Sequence, residues 1–101
     1  MELVQRKKLE IFIEGHALTQ VEDMLGRVGF KGWSVFEGVE GAGAHGSWRQ
    51  TGIGESAAFL VIAVGGAKAC DQALEWLADY FKTYPGVVAI SEVSVMRIER
   101  F

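Results

Sequence analysis

An α+β sandwich, with two helices covering one face of a four-stranded sheet, is the fold class this sequence predicts. Three observations predict it. Two segments carry the apolar period of a helix, each lies between strand-like segments, and a glycine-rich stretch without periodicity separates the two β-α-β halves. The size fits one domain: 101 residues, 50% apolar, 23% charged and 11% aromatic, the profile of a compact fold with a core of its own.

The first strand is read at Leu9 to Ile13, where Leu9, Ile11 and Ile13 share one face and Glu10, Phe12 and Glu14 the other. A helix follows, since Leu18, Val21, Leu25 and Val28 recur at spacings of three and four. Thr19 and Glu22 match a capping box, and Gly29 suits a left-handed C-cap. Trp33 to Val39 is a second strand, with Trp33 and Val35 opposite Ser34 and Phe36. A third strand at Ala57 to Val64 is an unbroken apolar run. The second helix, about Ala67 to Tyr84, buries Cys70, Ala73, Leu74, Leu77 and Phe81, and Pro85-Gly86 stops it. Val87 to Ile90 and Val93 to Ile98 supply a last strand or two short ones, with a break at Ser91-Glu92. The order βαββαβ is that of a ferredoxin-like sandwich.

Thirteen glycines stand against one proline, and six of the seventeen residues from Gly38 to Gly54 are glycine, so this stretch is expected to be a loop. Loops of that length in a small domain tend to be functional. The third strand carries a different implication. A sheet wet on one face should alternate, and this run does not, so a second copy is expected to cover it. The expectation is a homo-oligomer with inward-facing sheets; the alternative is a central strand capped by loop residues.

A net charge of −3 and the lack of a basic stripe argue against nucleic-acid binding. One cysteine, Cys70, fits a reducing compartment, and its place on an apolar helical stripe makes it a packing residue. No apolar run approaches the roughly 20 residues of a membrane span. Glu2, Arg6, Lys7, Lys8 and Glu10 replace the apolar core of a signal peptide, so the expected location is cytoplasmic. Enzyme signatures are thin: there is no nucleophile elbow, there are two histidines, and no carboxylate arrangement for Mg²⁺ is evident, which leaves a low-level ATPase as a third and weaker option.

Gly41-Ala42-Gly43-Ala44-His45-Gly46 loosely matches a dinucleotide-binding motif, but a strand rather than a helix follows it, so that reading is weak. The physical content remains. Glycines admit a ligand close to the backbone and present N–H groups as an anion nest; a flexible loop without ligand is the plainer alternative. His45 and Arg49 lie in this loop, Lys31 opens the second strand and Arg97 lies on the last, each a candidate anion contact and each able to be a solvated charge instead. Trp48, between Ser47 and Arg49, is placed to pack on a partner or ligand.

Lys31-Gly32-Trp33-Ser34-Val35 followed by Gly41-Ala42-Gly43 resembles the second strand and T-loop base of the P-II signalling superfamily, and the branch associated with bicarbonate transporters and carboxysomes above all. The segment Asp79 to Ile90 and the ending Val93-Ser94-Val95-Met96-Arg97 are similar to the C-terminal part of those proteins. The resemblance implies a homotrimer of one domain over residues 1–101, with a T-loop at about 41–56. It further implies a non-enzymatic regulator without a cofactor, binding AMP, ADP or cyclic AMP, with bicarbonate as an accompanying ligand, in clefts between subunits. Its implied nucleotide residues are Ser34, Gly41, Ala42, Gly43, Ala44, His45, Gly46, Gly86 and Arg97, and its implied T-loop contacts Trp48 and Arg49 reach a bicarbonate transporter or carbon-assimilation protein. Several cations of that family are replaced here, by Ala44-His45, by Tyr84-Pro85-Gly86 and by Glu99, which predicts weak triphosphate binding. The second hypothesis is a metal-responsive P-II-like or CutA-like trimer with His45, His16 and nearby glutamates as ligands, against which stands the lack of paired His or Cys at short spacing.

Overall fold

The computed structural model describes residues 1–43, 46–49 and 57–96. Strand β1 (Val4–Glu14) runs through a short 3-10 turn (Gly15–Ala17) into helix α1 (Leu18–Val28). Strand β2 (Trp33–Glu37) is followed by β3 (Glu40–Gly43) and β4 (Gly46–Arg49). Strand β5 (Ala58–Gly65), helix α2 (Ala67–Tyr80) and strand β6 (Val87–Val95) complete the chain. The main sheet has the order β2-β5-β1-β6, antiparallel at every pair, with both helices on one face: the ferredoxin-like sandwich read from the sequence.

Alternation in β1 is the organising pattern. Leu9, Ile11 and Ile13 point to the helices and are almost wholly buried. In register with them, Val61 and Ala63 on β5 fill the centre of the same face. Val21, Met24 and Leu25 of α1 and Cys70, Ala73, Leu77 and Tyr80 of α2 close the core from above. Each such large apolar side chain contributes about 1.5–3 kcal/mol on burial.

Four local expectations are corrected. Gly38 to Gly54 is not all loop: β3 and β4 form a hairpin, paired Glu40↔Arg49, Gly41↔Trp48, Ala42↔Ser47 and Gly43↔Gly46. Its strands are too short and too rich in glycine to show alternation. Thr19 and Glu22 make no capping box, because Ala17 occupies the N-cap and the preceding 3-10 turn leads straight into the helix, the Leu18 N–H donating to the Gly15 carbonyl. The break at Ser91-Glu92 is absent: β6 is continuous there, pairing with Lys8 and Lys7 of β1. Helix α2 ends at Tyr80, and turn hydrogen bonds carry the chain to Tyr84. Gly29 does close α1 in a left-handed conformation, at φ 111°.

The unbroken run in β5 divides between two faces. Val61 and Ala63 join the core, whereas Leu60, Ile62 and Val64 are half-buried on the face without helices. There Phe36, Leu60, Phe12 and Val87 stand side by side across all four strands. Phe12, Phe36 and Val87 are 46%, 51% and 59% exposed, an apolar row on the open face.

Candidate functional site

Topology gathers one group of loops at one end of the sheet. Glu14 pairs with Ala58, Glu37 with Phe59 and Phe12 with Val87, so the ends of β1 and β2 and the starts of β5 and β6 are neighbours. Two hydrogen bonds fasten this end: the Gly15 N–H donates to the Ala57 carbonyl and the Gly38 N–H to the Ala58 carbonyl, both at 2.7 Å. The β3–β4 hairpin springs from here, and the turn through Gly86 arrives here.

Gly41, Ala42, Gly43 and Gly46 therefore lie on the hairpin, with Trp48 and Arg49 on its second strand. Gly46 has φ 99°, open only to residues that tolerate the left-handed region. A side chain at Gly43 would meet nothing within 4 Å among the described residues, so its backbone is open to approach from them. Gly86 is different. It has φ 156°, and a Cβ there would drive into the Phe81 ring and come within 3.0 Å of the Phe12 carbonyl oxygen. Whatever else it does, Gly86 is required by packing.

Ser34 sits on edge strand β2, exposed on the open face, in the row Ser34–Ile62–Glu10–Ala89. The structure thus separates it from the hairpin by the length of chain from Val35 to Val39. Ala44, His45 and Arg97 lie outside the described residues. Arg97 follows Val95 by two residues, and Val95 pairs with Val4 at the opposite end of the sheet. Nine strand residues place Val95 about 26 Å from Val87.

Sequence reasoning missed the carboxylates at this end. Arg49 Nη2 lies 3.6 Å from Glu40 Oε1, Lys82 Nζ lies 3.8 Å from Asp79 Oδ1, and His16 Nε2 lies 3.9 Å from Glu14 Oε2, this last an ion pair when the imidazole is protonated. Six of the ten Lys and Arg residues, namely Arg6, Lys7, Lys8, Arg27, Lys31 and Lys68, stand toward the other end. The signal for the Glu40–Arg49 pair was a cross-strand register, which became readable only with the hairpin in place.

An aromatic column also reaches this end. Trp76 stacks on Tyr80 with centroids 5.0 Å apart, Tyr80 on Tyr84 at 4.7 Å, and the His16 ring lies 5.7 Å from Tyr84. The Tyr80 hydroxyl is buried with no hydrogen-bond partner among the described residues, and burial pushes its ionisation up, with Tyr84 and Glu14 adding to the shift. Cys70 is buried in the core, its Sγ 3.8 Å from the Lys7 and Gly65 carbonyls, and burial likewise raises its thiol. Among the described residues no group of three or more His, Cys, Asp or Glu could hold a metal ion, and no helix is long and apolar enough to cross a membrane.

The family model for nitrogen regulatory protein P-II matches residues 6–100. A search of curated proteins found no match. Among solved structures, CPII, a nitrogen regulatory PII-like protein from Thiomonas intermedia K12 bound to ADP, AMP and bicarbonate, is 30% identical, with a TM-score of 0.90 over 99% of this chain and 96% of its own. A PII-like signalling protein from Thermus thermophilus is 21% identical, with a TM-score of 0.84 over 100% of this chain and 99% of its own. The B. subtilis GlnK–ATP complex is also 21% identical, with a TM-score of 0.70 over 94% and 88%. At that identity the last two bear on the fold alone.

Proposed function

Because this chain belongs to the nitrogen regulatory protein P-II family, we propose that it is a non-enzymatic, cytoplasmic signalling protein that binds an adenine nucleotide, with bicarbonate as an accompanying ligand, between the subunits of a homotrimer. Occupancy is passed to a bicarbonate transporter or carbon-assimilation protein through the glycine-rich hairpin, the T-loop of this chain. The observation that carries the reading is the likeness along nearly the whole chain to a PII-like protein holding ADP, AMP and bicarbonate.

Two features of the geometry support it. The apolar row Phe36–Leu60–Phe12–Val87 is a face that a second and third copy would cover. The chain's own layout also favours a shared cleft. Gly41, Gly43, Gly46 and Gly86 stand at one end of the sheet, whereas Val95 pairs with Val4 at the other, so a nucleotide held by both ends would lie between two subunits. Nucleotide contacts at the hairpin backbone would favour one of its arrangements over others, a shift driven by differential binding.

Calorimetry with AMP, ADP, ATP and cyclic AMP, each with and without bicarbonate, tests the nucleotide part. Saturable heat with the mono- and diphosphates is expected, and no heat with any of the four refutes it. Light scattering should return three times the 11.0 kDa chain mass. Pull-downs with the candidate transporter would test the partner, loss of capture on deleting the hairpin being the expected result.

A further inference from the structure

Glu40 and Arg49 face each other at the root of the hairpin, 3.6 Å apart and both largely exposed. Above them the hairpin has little else to hold it. Its remaining pairs put Gly41, Ala42 and Gly43 along one strand, and a glycine-rich two-stranded ribbon is marginal by itself. The ion pair is therefore the main side-chain link across the hairpin root among the described residues. At such exposure it holds weakly and exchanges readily with another anion.

The same pattern repeats at the other cations of this end. Lys82 is shared with Asp79 and, when protonated, His16 with Glu14. Among the described residues at this end, an arriving anion meets no cation that lacks a carboxylate within 4 Å. Arg49 is the best equipped of the three, because its guanidinium offers a fork of donors beside open glycine backbone.

We propose that Glu40 is a specificity-determining residue of the nucleotide site: it holds Arg49 in the free hairpin and, once a phosphate takes the guanidinium, remains beside it and repels each added phosphate charge. The site then prefers AMP and ADP over ATP through a carboxylate placed at the hairpin root, and not only through a shortage of cations. This rests on the nucleotide reading above. It goes beyond that reading by naming the residue that ranks the ligands.

The test is calorimetry with AMP, ADP and ATP in the absence of Mg²⁺, on the wild-type protein, Glu40→Gln and Arg49→Gln. Removing one exposed charge should tighten binding in a graded order, about two-fold for AMP and about ten-fold for ATP in Glu40→Gln. The gain should shrink as salt rises from about 0.05 to 0.5 M. Arg49→Gln should weaken ATP most. A uniform change across the three nucleotides in Glu40→Gln, no change, or a neutral Arg49→Gln overturns the proposal while the nucleotide reading stands. Absence of binding by the wild-type protein overturns both.

Discussion

Replacing Gly86 with alanine asks whether this glycine is held by packing or by a ligand. Its φ of 156° lies where an L-residue is strained, at a cost of about 1–2 kcal/mol. The added Cβ would stand 3.0 Å from the Phe12 carbonyl oxygen and collide with the Phe81 ring. Phe12 cannot retreat, because β1 is paired on both sides, with Leu60 and with Val87. Phe81 must move instead, and forcing an extra methyl into such a contact costs about 1–3 kcal/mol. The sum is about 3 kcal/mol, which for a chain this short lowers Tm by more than about 10 °C. Gly43→Ala is the control. It has no positive φ and, among the described residues, no atom within 4 Å of an added Cβ, so its effect should stay within about 0.5 kcal/mol. Ligand-free calorimetric melts of the three proteins at equal chain concentration make the comparison, since assembly would make Tm concentration-dependent. A Gly86→Ala protein melting within about 2 °C of wild type would refute the packing argument.

Other outcomes follow from named contacts. Gly43→Val should abolish nucleotide heat while leaving Tm unchanged, because a side chain there fills open space beside the hairpin backbone; retained binding would remove Gly43 from the site. Trp33→Phe deletes the Nε1–H bond to Glu22 Oε2, 2.9 Å long and partly buried, and should cost about 1–2 kcal/mol by urea denaturation. Glu22→Gln, which keeps an acceptor, should cost less, and equal losses would contradict this. Burial raises the Cys70 thiol above 9.0 and the Tyr80 phenol above 10.0, so the folded chain keeps both protons longer than the unfolded chain does. Their contribution is complete below about pH 8 and declines as pH rises through 9 and beyond; urea midpoints from pH 7 to 10.5 should fall, less steeply in Cys70→Ala, and a flat profile would contradict the assignment. Phe12→Glu should leave secondary structure intact and dissociate the proposed trimer by light scattering, whereas an unchanged mass would show that the open face is not the interface.

How much was legible depended on what kind of information each feature needs. The sandwich itself was readable because its signals are local: Leu9, Ile11 and Ile13 alternate, Val21 and Leu25 recur at helical spacing, and Gly29 marks a helix end. The hairpin was not, since β3 and β4 are four residues each and glycine hides the period that identifies a strand. The capping box failed for a related reason. Thr19 and Glu22 have the right spacing, but the 3-10 turn makes Ala17 rather than Thr19 the N-cap, and Glu22 is instead the acceptor for Trp33 at the start of β2.

Charge at the hairpin end shows the limit most clearly. Counting cations along the chain predicts weak triphosphate binding, yet it treats Arg49 as available and gives Glu40 no role. They stand nine residues apart in a stretch without apolar period, and only the register Glu40↔Arg49 makes them opposites. The same holds for the distribution of the remaining charge, because the strand directions carry Lys7, Lys8, Lys31 and Lys68 away from the hairpin and leave the carboxylates Glu14, Glu40 and Asp79 beside the few cations that remain. A net charge of −3 for the whole chain is compatible with many ligands. Its division between the two ends of the sheet is what the proposed preference for a less charged nucleotide rests on, and that division is fixed by pairing rather than by composition.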